Sequence, residues 1–253
     1  MDRLAFNAAA AINEQRLSRQ MTTNELANVT TIGFKRSYEV AMNSIKVEGP
    51  GFTSRLQPQS MTADVVKLQG GSIMATGNAL DVAMNDSTVL GVSAPNGELA
   101  FSRRGDLRVN TAGVLENSAR HVVRGQGGGA ITIPPGLSVS INPDGSVYAV
   151  DRAQAGVANP VLIDRLLLRD ASTTPLERRK DGLFGPVGKL GADITDGPVP
   201  PSLTPGALEG SNVNPMEVMV KLMDQSRSFE HQVRNIKESK TIDESGATMM
   251  KLG

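Results

Sequence analysis

The chain has 253 residues, 26 basic and 26 acidic side chains, and neither cysteine nor tryptophan. The missing cysteines exclude disulfides, thiolate metal sites and cysteine nucleophiles, and the balanced charge leaves no electrostatic footprint for nucleic acid or an anionic membrane. Aromatic residues make up only 3%, so a core must come from Val, Leu, Ile, Met and Ala, with few rings to stack on bases or sugars.

The first residues, Met1-Asp2-Arg3-Leu4-Ala5-Phe6, lack the basic start and apolar run of a cleaved secretory signal. No window approaches the ~18 apolar residues of a membrane span. The expectation is a soluble chain that, if exported, leaves without a cleaved signal. From Asp2 to about Asn28 the sequence is rich in Ala, Gln, Arg, Leu and Glu, all good helix formers, and Asp2 suits the positive helix end. The apolar stripe is thin: Leu4, Ala8 and Ala11, then Leu17 and Met21, interrupted by Gln15, Ser18, Gln20, Asn24 and Asn28. Such a helix has little reason to fold alone. Thr30-Thr31-Ile32-Gly33 ends it, with Gly33 suited to a left-handed turn.

Residues 37–70 are polar and broken by Gly49-Pro50-Gly51; they read as an extended connector with short strands. From 71 to 205 the signals are β. Leu80 to Met84, Ile131-Thr132-Ile133 and Val139-Ser140-Ile141 alternate, and Val161 to Leu168 reads as one further strand. Asn96-Gly97, Ala112-Gly113 and Asp144-Gly145 mark hairpin turns. The basic run Arg178-Arg179-Lys180 reads as a solvated loop, and Gly197-Pro198-Val199-Pro200-Pro201 as a stiff tether back toward a C-terminal helix. That helix has Asn214 as N-cap, Pro215 at its first position and Glu217 three residues after the cap. Met219, Leu222, Ser226, Phe229, Val233, Ile236 and Lys240 then follow heptad spacing.

The fold class is therefore α+β: a helix at each terminus, free to meet in space, and a central all-β body joined by extended connectors. The divisions fall at 1–36 for the N-terminal helix, 37–70 for the connector, 71–205 for the β domain and 206–253 for the C-terminal helix. Long helices lying together beside a β body suggest polymerisation more than catalysis. The chemistry agrees. His121 and His231 are the only histidines, and no Gly-x-Ser-x-Gly elbow accompanies them. Gly125-Gln126-Gly127-Gly128-Gly129 is followed by Ala130 to Ile133, a strand pattern, so a tight β turn is expected there in place of a phosphate cradle. Asp81, Asp86 and Asp106 would need to converge to act on a glycoside. No enzyme activity, cofactor or metal is expected.

Two stretches carry a signature. Asn24-Glu25-Leu26-Ala27-Asn28 with Thr30-Thr31-Ile32-Gly33-Phe34-Lys35-Arg36 resembles the N-terminal motif of flagellar rod, hook and hook-associated proteins. Leu208-Glu209-Gly210-Ser211-Asn212-Val213-Asn214-Pro215-Met216-Glu217, followed by Gln225 to Glu230, resembles the C-terminal signature of the same axial family. Gly77 to Ala83 and Asp181-Gly182-Leu183-Phe184 narrow the likeness to the basal-body rod proteins, most of all the proximal-rod kind, with the distal-rod kind as nearest competitor. Ile32 stands where the family often has proline, Glu25 where it often has a second asparagine, and Thr88 to Val92 where it carries an aromatic-rich strand.

The resemblance implies a structural subunit whose terminal helices pair as an antiparallel coiled-coil-like hairpin, ordered on assembly, and join neighbouring subunits in a helical rod that transmits torque. The contact residues it implies are Leu4, Ala8, Ala11, Leu17, Met21, Leu26 and Asn28 on one side, and Met219, Leu222, Phe229, Val233 and Ile236 on the other. Partners would be further copies, other rod proteins, indirectly the hook, and the flagellar type III export apparatus. The location would be the periplasmic part of the basal body. A cell-wall-binding module is the alternative from a different class.

Overall fold

The computed structural model describes residues 2–37, 42–47, 55–60, 65–151 and 160–251, and the chain divides into two compact units. The helical unit contains α1 (Asp2–Ala27), the antiparallel hairpin of β1 (Met42–Val47) and β2 (Arg55–Ser60), and α2 (Pro215–Lys251). At 1.5 Å per residue, α1 spans about 39 Å and α2 about 55 Å. The break at Gly49-Pro50-Gly51 lies outside the described residues.

The start of α2 follows its sequence signals. Asn214 Oδ1 accepts from the backbone N–H groups of Met216 at 3.0 Å and Glu217 at 3.4 Å, and the Asn214 carbonyl accepts from Val218 at 3.1 Å. An N-cap of this kind satisfies donors that the helix cannot satisfy itself. Asn214→Ala is expected to lose about 1 kcal/mol of helix stability, read as a lower helical signal on warming by circular dichroism.

Where α1 meets α2 the contact is polar. Gln15 Nε2 donates to the Gln225 carbonyl at 2.7 Å, and Gln225 Nε2 donates to Ser18 Oγ at 3.0 Å and Thr22 Oγ1 at 3.2 Å. Thr22 is 1% exposed and donates back to the Ser18 carbonyl. The buried side-chain oxygens of Gln15, Gln225 and Gln232 find no partner among the described residues. Each such orphan costs of order 1–3 kcal/mol, which subtracts from what this seam contributes to stability.

The β unit comprises residues 28–38 and 64–213. Its strands are short: β3 (Ile73–Ala75), β4 (Val82–Met84), β5 (Thr88–Ser93), β6 (Leu99–Ser102), β7 (Leu107–Val109), β8 (Leu115–Asn117), β9 (Leu137–Ile141), β10 (Ser146–Asp151), β11 (Val161–Arg165), β12 (Leu168–Asp170), β13 (Leu176–Arg178), β14 (Phe184–Pro186), β15 (Leu203–Pro205) and β16 (Ala207–Glu209). The largest sheet runs β12-β5-β6-β14-β13; β11-β10-β9 form a second, and β15-β4, β16-β3 and β7-β8 are pairs. Among the described residues every ladder of this unit is antiparallel.

Alternation along β5 explains two cores. Leu90 and Val92 point into a cluster with Val82, Leu115, Val123, Ile131, Val147, Leu166 and Leu203. Val89 points the other way, to Val66, Phe101, Leu176, Phe184 and Ile194. One strand buried on both faces is read as an apolar run, so Val82, Ala83 and Met84 of β4 are all buried despite their alternating look.

The three expected hairpin turns are present. Gly97, Gly113 and Gly145 all have positive φ and close β5–β6, β7–β8 and β9–β10. The glycine run at 125–129 is likewise a turn: Gly128 has φ +81°, and Gly125 donates to the Gly129 carbonyl at 2.8 Å.

Several readings change. The strand expected over Val161 to Leu168 is split, with β11 pairing β10 and β12 pairing β5. Leu166, Leu167 and Leu168 are buried in succession as the chain crosses between sheets. The basic run is a solvated loop only in part, with Lys180 exposed in a turn. Arg178 lies on β13, its guanidinium 4.3 Å from the Phe34 ring centre, and Arg179 pairs with Glu98 and Asp181. The stretch 197–201 leads first into β15 and β16, anchored where Asp170 Oδ2 accepts from the Val199 N–H at 3.1 Å. Residues 28–36 and 206–213, placed with the helices from sequence, belong to the β unit, as do 64–70 of the connector. The side chains and backbone that hold them there form the site described next.

Candidate assembly site

Three segments of the β unit converge: 33–37, 66–71 and 209–213. Gly33 turns the first of them with φ +67°, and its N–H donates to the Glu209 carbonyl at 2.8 Å. A Cβ at Gly33 would overlap the backbone carbonyl of Arg103. The Asn212 N–H donates to the Phe34 carbonyl at 3.3 Å. The Asn212 side chain gathers all three segments, with Oδ1 accepting from the Arg36 N–H at 2.7 Å and Nδ2 donating to the carbonyls of Lys67 at 3.0 Å and Gln69 at 3.3 Å. Ser37 bridges Val66, the Lys67 N–H donates to the Arg36 carbonyl at 2.9 Å, and the Arg178 guanidinium donates to the Lys35 carbonyl.

Beneath this backbone knot lie three buried charges. Lys35, Arg103 and Glu209 have side chains 0%, 1% and 3% exposed. Lys35 Nζ donates to Glu209 Oε1 at 2.6 Å and to the Gln69 carbonyl at 2.7 Å. Arg103 grips the same carboxylate in a fork, Nε to Oε2 and Nη2 to Oε1, both 2.9 Å. Its remaining donors reach the carbonyls of Asp86 at 2.6 Å, Thr88 at 2.8 Å and Met84 at 3.0 Å. Glu209 Oε1 also accepts from the Gly71 N–H at 2.9 Å.

Guanidinium suits this place because its planar fork matches a carboxylate and it tolerates desolvation better than an ammonium. Burial, and then repulsion from Arg103, lower the Lys35 ammonium to about 8, against its hydrogen bond and attraction to Glu209. Burial likewise pushes Arg103 down, partly offset by Glu209. The arrangement can position backbone; it presents no reactive group to solvent.

Other candidate groups are committed elsewhere. Asp81 accepts from Asn78 Nδ2 at 3.0 Å, while Asp106, bridged to Asp81 through the backbone, is gripped by Arg104 at 2.8 Å. Asp86 is a turn residue with φ +43°. His121 is part-buried beside Asn117, with burial lowering its pKa, and His231 is exposed on α2. Among the described residues, no group of three or more His, Asp or Glu side chains is placed to hold a metal ion.

The contact residues expected from sequence lie on both helices and the turn between units. Leu4 and Ala8 are on α1, with side chains outside the described residues. Ala11, Leu17, Met21 and Leu26 are half-buried on α1; Asn28, also half-buried, accepts at Oδ1 from Thr31 Oγ1 at 3.1 Å in the turn that follows. On α2, Leu222 and Ile236 are half-buried, whereas Met219, Phe229 and Val233 are 49%, 40% and 44% exposed. The positions covered within the chain include Val218, Leu222, Gln225, Gln232, Ile236 and Ser239, a heptad stripe one residue N-terminal to the expected one at four of its steps.

Lys35, Glu209 and Asn212 lie inside the two signature stretches, yet sequence alone gives them no function. Arg103 had one available signal, a charge directly after an apolar strand.

The pattern described as the flagellar basal body rod FlgEFG protein C-terminal region matches residues 204–249, and that of the flagellar hook protein FlgE/F/G D1 domain matches 83–149. The flagellar basal-body rod protein FlgF of Salmonella typhimurium is 30% identical over 240 residues, 93% of each chain. The FlgF of Escherichia coli is 31% identical, again over 93% of each. The chain belongs to the flagellar basal-body rod protein family. Within that family it is FlgF-like, since the FlgG of Buchnera aphidicola (Acyrthosiphon pisum) is 26% identical over 90% of this chain. Both signature stretches of this rod protein contribute to the clasp formed by segments 33–37, 66–71 and 209–213: Gly33 to Arg36 from one, Glu209 to Asn212 from the other.

Proposed function

We propose that the chain is a structural subunit of the proximal rod in the flagellar basal body, where it contacts other rod and axial proteins and performs no catalysis. Its FlgF-like relationship over nearly the whole length supports this reading. Assembly runs through α1 and α2, paired as an antiparallel coiled-coil-like hairpin, with the β body adding lateral contacts that stiffen the rod. Subunits related by a rotation that does not close give a filament, and many such interfaces together carry torque toward the hook. Export proceeds through the flagellar type III apparatus without a cleaved signal, and the rod lies in the periplasm.

The single observation that carries the assembly mode is the uncovered apolar face of α2. Met216, Met219, Val220 and Met223 recur at i, i+3, i+4 and i+7 and are 70%, 49%, 57% and 58% exposed, with Phe229 and Val233 further along. A helix that leaves such a face to water and joins α1 through glutamines supports ordering of the hairpin by neighbouring subunits. The contact set then comprises Leu4, Ala8, Ala11, Leu17, Met21, Leu26 and Asn28 with Met219, Leu222, Phe229, Val233 and Ile236. Phe229→Ala is expected to cost the free chain only about 1–2 kcal/mol, because 40% of the side chain is open to water there, while full burial in the rod makes its loss worth about 3–5 kcal/mol. Motility and recovery of the chain in purified basal bodies test this. Normal incorporation would remove Phe229 from the interface, and absence of the wild-type chain from basal bodies would overturn the rod reading itself.

A further inference from the structure

The buried cluster holds two cations against one carboxylate, and its hydrogen bonds show which charge is surplus. Arg103 has a carbonyl or carboxylate oxygen for each of its donating nitrogens. Among the described residues, Lys35 Nζ finds two acceptors, Glu209 Oε1 and the Gln69 carbonyl. An ammonium has three protons to place; a neutral amine has two. We propose that Lys35 is a proton-operated latch: the clasp joining segments 33–37, 66–71 and 209–213 closes most firmly when Lys35 gives up one proton. The proton passes from Nζ to a base in solvent, the ammonium becomes an amine that keeps both hydrogen bonds, and Glu209 and Arg103 remain as a one-to-one pair.

The charged groups facing Lys35 bear on this in opposite senses. Glu209 on β16 holds the proton, and Arg103, from the segment after β6, repels it. Asp86 acts on Arg103, which it favours as a cation, and Arg178 of β13 donates to the Lys35 backbone carbonyl. The lysine is lowered from 10.5 to about 8 in the closed clasp, with burial the largest cause. Below pH 8 both the closed and the open forms carry the proton, and the latch is at its weakest. Between pH 8 and 10.5 the open form binds a proton that the closed form has released, so closing becomes more favourable as pH rises, by at most about tenfold per pH unit.

The latch rests on the geometry of the β unit alone, and its test uses the free full-length chain. Protection of the Gly33, Gly71 and Asn212 amides, corrected for intrinsic exchange, would be followed from pH 7 to 9.5, together with urea midpoints. Wild type is expected to gain roughly ten- to thirtyfold in protection over this range. Lys35→Met, which leaves the Arg103–Glu209 pair matched, is expected to show no such gain. Lys35→Arg keeps a cation that cannot be neutralised, so it too should be flat, and it serves if the methionine variant does not fold. Parallel pH profiles for wild type and variant, or protection in wild type that is flat or falls with pH, would overturn the latch. Either result leaves the rod reading untouched, because that is judged by incorporation into basal bodies.

Discussion

Glu209→Gln is expected to be the most damaging single isosteric change in the β unit, lowering its stability by about 3–5 kcal/mol. The glutamine fills the same space but removes the negative charge that faces both Lys35 and Arg103, whose side chains are almost wholly inaccessible to water. Two cations then lie buried together without a counter-charge. The Gly71 N–H also trades a carboxylate acceptor for a weaker amide oxygen. Urea denaturation followed by a β-sheet signal reads the loss. Adding Lys35→Met should recover part of it, because one unpaired cation is gone; the shortfall from additivity measures the coupling. A single variant within 1 kcal/mol of wild type (a scale set by ordinary surface substitutions) would show that the carboxylate does not hold the clasp.

Gly33→Ala should come second, through backbone geometry instead of charge. The residue sits at φ +67°, where any side chain pays of order 1 kcal/mol. The larger cost comes from the new methyl group, which would occupy the space of the Arg103 carbonyl. Backbone on both sides must shift, and the bond from the Gly33 N–H to the Glu209 carbonyl is lost with it. A total loss of about 2–4 kcal/mol is expected from strain and the broken bond together. Hydrogen exchange at the Asn212 N–H gives a local readout, and its unchanged protection in the variant would place the strain elsewhere.

Much of the fold was readable because it rests on local chemistry. Asn214 and Pro215 announce the start of α2, and Asn96-Gly97 and Asp144-Gly145 announce hairpins, since each needs only its own residues to favour the turn. Ile131 and Ile133 alternate with exposed Thr132, so their burial also follows the period. The unreadable parts depend on distant partners. Leu166 to Leu168 look like the end of one strand, and only the packing of two sheets divides them. Arg178 belongs to a charged run, and only the Phe34 ring across from it turns that run inward. Arg103 and Glu209 are 106 positions apart, and no periodicity links them. The signature stretches pointed to the family, but their purpose emerges only when Lys35 of one is seen to donate to the Glu209 carboxylate of the other.

The Asn212 amide has a consequence for how such chains diversify. Because it ties Arg36, Lys67 and Gln69 at one place, everything from about residue 71 to 208 hangs from a single root. A segment whose ends already touch is free to grow, shrink or be exchanged without altering the spacing of whatever is attached outside it.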